Sequence, residues 1–163
     1  MKKIVLKGFV GAAVVLTLLM LADTSSAQRR RREARGKAMT KAQVKVIINR
    51  VEDRVDNFVK NFDKSLDRGR LDGTSREDWL NKRARDLESA TDELAREFDR
   101  RDAWIENKEE MRRCLNIATD IDRNMRNYRY GSGTEANWAR VRHELNTLAD
   151  VYNLPKVGAD VYK

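Results

Sequence analysis

The 163-residue chain has one cysteine, one histidine and one proline. A single cysteine excludes an internal disulfide framework and any multi-cysteine zinc or iron–sulfur site. A single histidine excludes His-rich metal centres. One proline and eight glycines leave few turns, which disfavours a many-stranded β fold and favours long helices. The sequence also lacks a glycine-rich phosphate loop, a serine in a nucleophile elbow, a Cys-x-x-Cys-His haem site and a His-Glu-x-x-His pair. The paired Glu-x-x-His of di-iron bundles is missing too. The length suits one domain and hardly two.

What the N-terminus does contain reads as an address. Met1-Lys2-Lys3 and Lys7 make a cationic start, and Gly8 to Ala22 then run 15 residues without a charge. Ser25-Ser26-Ala27 offers small side chains for cleavage after Ala27. This is the pattern of a secretory signal, and the uncharged run falls short of the roughly 20 residues that span a bilayer as a helix. The rival reading is an uncleaved anchor, extended back to Ile4 with Lys7 snorkelling. Arg29 to Arg32, directly after the cleavage point, run against the positive-inside tendency. The expected organisation is a signal over 1–27, a basic arm over 28–39, a helical bundle over 40–155 and a C-terminal tail over 156–163.

The net charge of +8 is unevenly spread. Gln28 to Lys37 hold Arg29, Arg30, Arg31, Arg32, Arg35 and Lys37 against Glu33 alone, whereas residues 38–163 carry 25 basic and 24 acidic side chains. The basic excess therefore belongs to a ten-residue stretch that has no apolar periodicity. It reads as a solvated tail or as a binding arm for an anionic surface.

From Thr40 onward the apolar residues recur with helical spacing. Val44, Ile48, Val51, Val55, Phe58, Phe62 and Leu66 mark a first stripe, opened by a capping box of Thr40 with Gln43 and ended by Gly69 and Gly73. Leu80, Ala84, Leu87, Thr91, Leu94 and Phe98 mark a second, opened by Thr74 with Glu77. Trp104, Asn107, Met111, Cys114, Ala118, Ile121, Met125 and Tyr128 form a third, broadened by Leu115 and Ile117. The phase slips at Asp99-Arg100-Arg101-Asp102, which predicts a corner there rather than one long bent helix. After the break at Gly131-Ser132-Gly133, Thr134 is the expected N-cap of a fourth stripe over Trp138, Val141, Leu145, Leu148 and Tyr152. Leu154-Pro155 stops it. The expected fold is all-α: an up-down antiparallel helical bundle of three to four long amphipathic helices after the N-terminal signal segment. Asp56 to Lys64 parallels Asp92 to Arg100 at an offset of 36, which reads as the partial likeness of any two charged amphipathic helices or, alternatively, as an internal duplication.

Candidate chemistry is thin. His143 lies off its stripe and is expected at the surface rather than on a metal or haem. Cys114 lies on a stripe and is expected to be buried and inert, the alternatives being an intermolecular disulfide or a reactive thiol. The carboxylates Glu52, Asp53, Asp56, Asp86, Glu88, Asp92, Glu93, Glu106, Glu109 and Glu110 interleave with Lys and Arg, which predicts solvated, ion-paired faces. No catalytic, cofactor-binding or metal site is expected. The possible anion-binding residues are Arg29, Arg30, Arg31, Arg32 and Arg35 of the arm, with Arg126 and Arg129 beside Tyr128 and Tyr130. Arginines at a helix C-terminus also complement its dipole, which alone would account for them.

Met39-Thr40-Lys41-Ala42-Gln43 resembles, over five residues and with Met39 in place of Leu, the Leu-Thr-x-x-Gln motif of the Spy-type periplasmic chaperones. Such a resemblance implies a small exported helical chaperone, which would need exposed Trp79, Trp104 or apolar residues outside the stripes. Thr-x-x-Gln is also what a capping box supplies. The leading expectation is an exported, non-enzymatic helical-bundle protein acting as an interaction or structural protein of the cell envelope, periplasmic or secreted. The alternatives are a binding module for anionic envelope polymers or lipids through the arm, and a Spy-like chaperone. Expected partners are a protein or an anionic envelope component, with no specific nucleic acid and a membrane only if the signal is retained, for a monomer or homodimer.

Overall fold

The computed structural model describes residues 39–159, and these form four α-helices with no strand among them. Helix α1 spans Lys41–Asp67, α2 Ser75–Arg100, α3 Lys108–Asn127 and α4 Ser132–Tyr152. The signal segment, nearly all of the arm, and residues 160–163 lie outside the described residues. None of the described helices is long and apolar enough to cross a membrane.

The first helix starts as its sequence predicts. The Thr40 hydroxyl accepts from the Gln43 amide at 3.2 Å, and the Gln43 side chain accepts from the Thr40 amide at 3.0 Å. Two otherwise orphaned donors are thereby satisfied. Thr40→Ala is expected to cost about 1 kcal/mol in a urea melt, with no change in the folded spectrum. The second cap differs from the expected reciprocal box. Thr74 accepts from the Glu77 amide, but the Glu77 carboxylate reaches past Thr74 to the Gly73 amide at 2.6 Å. Gly73 sits at φ 72, in the left-handed region open to glycine, and this turn presents its amide to Glu77, which is buried.

Between α2 and α3 the chain turns the expected corner without glycine or proline. Arg101 leaves the helix in an extended conformation (φ −97, ψ 134). Its guanidinium bridges Glu97 of α2 at 3.2 Å and Glu110 of α3 at 2.9 Å, and also donates to the Glu106 carbonyl at 2.6 Å. One charged side chain thus fastens both arms of the corner. Trp104–Asn107 form a 3₁₀ turn leading into α3, so the third stripe begins on that turn rather than on the α-helix.

The fourth helix starts earlier than its sequence suggests. Gly131, at φ 89, is the N-cap and provides no side-chain cap, and the helix begins at Ser132. Thr134 is therefore a buried first-turn residue and not the N-cap. The helix ends at Tyr152 because Asn153 takes the left-handed conformation (φ 51, ψ 59), before Pro155 is reached. Residues 156–159, expected as a tail, dock on the molecule. The Asn146 side chain and the Val157 backbone exchange two hydrogen bonds, of 2.7 and 3.2 Å, and Val157 is buried.

Connected helices run antiparallel. Lys41 at the start of α1 donates to the Arg101 carbonyl beyond the end of α2 at 2.7 Å. Arg76 near the start of α2 reaches Asn124 near the end of α3 at 3.2 Å. The Trp138 indole near the start of α4 donates to Asp122 near the end of α3 at 2.9 Å. Helix α4 also packs along α1, where the Phe58 and Trp138 rings lie 5.0 Å apart. Each helix thus contacts the next, and the last returns to the first.

All the expected apolar positions of α1, α2 and α4 are buried. So are Trp104, Met111, Cys114, Ala118 and Ile121 of the third stripe, with Ile47, Ala90, Ala149 and Val151 added. Met125 is only half-buried and Tyr128 is exposed. The reason is local: α3 ends at Asn127, and Tyr128 is extended (φ −137, ψ 154), so its side chain no longer follows the helical stripe.

Candidate functional site

The first connection leaves α1 through Arg68, Gly69, Arg70 and Leu71, and the third joins α3 to α4 through Tyr128, Arg129, Tyr130 and Gly131. These two connections meet at one end of the helices, where the Ser65 hydroxyl donates to the Tyr130 carbonyl. Between them is a cleft of about 1150 Å³, whose walls include Asn61, Lys64, Arg68, Arg70, Tyr128, Arg129, Tyr130 and the start of α4 from Gly131 to Thr134. Among the described residues four cationic side chains line it and no carboxylate does. Lys64, Arg68 and Arg70 have no ion-pair partner within 4.0 Å among the described residues, and Arg129 is 92% exposed with Glu135 at 3.4 Å.

Two aromatic rings complete the cleft. The Tyr128 ring is exposed on one side and carries the Arg76 guanidinium 4.0 Å from its centre on another. Tyr130 packs edge-on against Phe62 at 5.2 Å. It is only 8% exposed, and its hydroxyl has no hydrogen-bond partner among the described residues. Burial pushes this phenol up, so it keeps its proton and remains a donor at neutral pH.

Of the two described arginines singled out as possible anion ligands, only Arg129 lines the cleft. Arg126 is turned toward a buried carboxylate instead. Asp122, 2% exposed, accepts from the Arg126 guanidinium at 2.9 Å, Arg142 at 3.0 Å and the Trp138 indole at 2.9 Å. Arg126 also donates to the Gly158 carbonyl at 3.0 Å, tying the end of the chain to α3. This arrangement belongs to the architecture, and no pattern along the chain announces it. Lys64, Arg68 and Arg70 were likewise missed as ligand candidates, because single cations at a helix end carry no periodic signature. Arg29, Arg30, Arg31, Arg32 and Arg35 lie outside the described residues.

The remaining candidates fall where expected. Cys114 is fully buried, and burial pushes its thiol up to about 12, so no thiolate is present at neutral pH. His143 is exposed on α4. No group of three or more His, Cys, Asp or Glu side chains among the described residues is placed to hold a metal ion.

Several of these carboxylates pair as expected, including Asp86 with Lys82 at 2.8 Å and Glu110 with Arg101 at 2.9 Å. Four others do not. Glu52 and Asp56 of α1 face Glu88 and Asp92 of α2, and none of the four has an ion pair within 4.0 Å among the described residues. Partial burial first, and the neighbouring carboxylates second, push Glu52 up, and the same two causes push Glu88 up. A carboxyl raised in the folded state contributes stability that is complete below its unfolded value and is lost as pH rises through the folded one. Glu52→Gln is therefore expected to raise stability at pH 7. Its advantage over wild type should vanish below about pH 4, where the unfolded carboxyl is protonated as well. Urea melts of both proteins across this range check it.

No family model, curated protein or solved structure matches the chain.

Proposed function

We propose that the chain is an exported, non-enzymatic protein of the cell envelope, an up-down antiparallel helical bundle that works by binding. The observation that supports this most directly is the end cleft, where Lys64, Arg68 and Arg70, without ion-pair partners among the described residues, meet Arg129 on a domain that is otherwise nearly neutral. Unbalanced charge at a concave surface is retained at a cost in self-repulsion and attracts an anionic partner. The one thiol supports the same reading, since Cys114 is closed off with its thiol high. Export rests on the pattern from Met1 to Ala27.

Intact-mass measurement and fractionation of the expressed protein test the reading. The expected result is a mature chain beginning at Gln28, recovered outside the cytoplasm. A full-length chain held in the cytoplasm overturns export. A second reading, an anionic-polymer binder acting through the arm, is favoured by the density of arginine over Arg29 to Arg35. Deleting Gln28 to Lys37 should then weaken retention on anionic vesicles at low salt, and equal retention overturns it.

A further inference from the structure

We infer that the cleft between the α1–α2 and α3–α4 connections is a binding site for a phosphoryl group carried on a larger body. The inference deepens the binding role proposed above and rests on it.

Three features of the cleft converge on this chemistry. The first is charge: Lys64, Arg68 and Arg70 are without ion-pair partners among the described residues, and Arg129 adds a fourth cation from the opposite connection. The second is the start of α4. No side chain caps it, and its first hydrogen bond closes from Glu135 back to Gly131, so the Ser132, Gly133 and Thr134 amides have no partner in the helix. Gly131 and Gly133 have open space where a side chain would stand, so a ligand can approach this backbone. Amides at a helix start favour an anion through both their hydrogens and the helix dipole.

The third feature is the Tyr130 hydroxyl. It is a buried donor without a partner among the described residues, in a residue that lines the cleft, and leaving such a group unpaired is costly. A phosphoryl group presents three oxygens for a row of amides and arginine forks, whereas a carboxylate presents two. The cleft is far larger than phosphate alone, and the exposed Tyr128 ring offers a flat wall for whatever carries the group.

Amide spectra of the isotopically labelled intact chain test this. The probes are inorganic phosphate, and phosphatidylcholine vesicles with and without phosphatidylglycerol. The Ser132, Gly133 and Thr134 signals should shift with phosphate if the group is taken free, or respond only to phosphatidylglycerol vesicles if it is taken as a lipid headgroup. Either result supports the site. The double variant R68A/R70A should bind the effective probe roughly tenfold more weakly. Tyr130→Phe should weaken it several-fold while melting at or above the wild-type temperature, since it deletes only an unpaired polar group. Responses confined to Arg29 to Lys37, equal responses to phosphatidylcholine alone, or an R68A/R70A variant that binds like wild type overturn the site. Those outcomes leave the mass and fractionation results unaffected, so the two readings fail separately.

Discussion

Phe58→Ala is expected to lower the stability of the molecule by about 3–5 kcal/mol. Phe58 is fully buried, with the Phe62 ring stacked 4.9 Å away on the same helix and the Trp138 ring 5.0 Å away on α4. Phe62 in turn meets Tyr130. Removing Phe58 takes away the ring that joins this aromatic row to α4. The loss combines transfer free energy with a cavity term. Urea unfolding followed by tryptophan fluorescence measures it, because Trp138 reports directly on the altered contact. A loss below about 1 kcal/mol, the range of a surface substitution, would mean that α1 and α4 do not pack as described.

Asp122→Ala should cost about 2–4 kcal/mol. This carboxylate is an acceptor for Trp138, Arg126 and Arg142 at once. The two arginines are part-exposed, at 47% and 38%, and water can replace much of what they lose. The buried indole N–H has no such substitute, and its orphaning carries a full desolvation penalty. Asp122→Asn retains an acceptor for Trp138 while removing the charge, so it should fall between wild type and alanine. Identical losses for the two variants would show that charge dominates. A milder loss for asparagine would identify the indole bond as the main term.

The contrast between these two positions explains how far the sequence could be read. Phe58 belongs to a repeating stripe, and a stripe declares burial within its own helix; four such stripes were enough for the helices and the corner. Asp122 interrupts no pattern. Its partners, Trp138 and Arg142, lie on the next helix, and only the packed molecule brings them together. Thr134 was misplaced as an N-cap because residue type alone favours threonine there, whereas the positive φ of Gly131 opens the helix earlier. The cleft was half legible. Tyr128, Arg129 and Tyr130 stood out as a basic aromatic patch, but Lys64, Arg68 and Arg70 join them through an antiparallel pairing that sequence separation conceals. The acidic row failed in the opposite sense: Glu52 and Asp56 lie among cations along the chain, yet face Glu88 and Asp92 across the helix pair.

The return of α4 to α1 also bears on how the molecule assembles. Three of its helix pairings join neighbours in the chain, and each can form as a hairpin closed by a short connection. The pairing between α4 and α1 is of another kind, since Phe58 meets Trp138 only after the whole intervening chain has been brought round. Closing that one long loop carries the largest entropic cost. The aromatic row at this seam therefore holds the ring of helices shut, and unfolding that begins by parting α4 from α1 would leave three local hairpin contacts to melt in its wake.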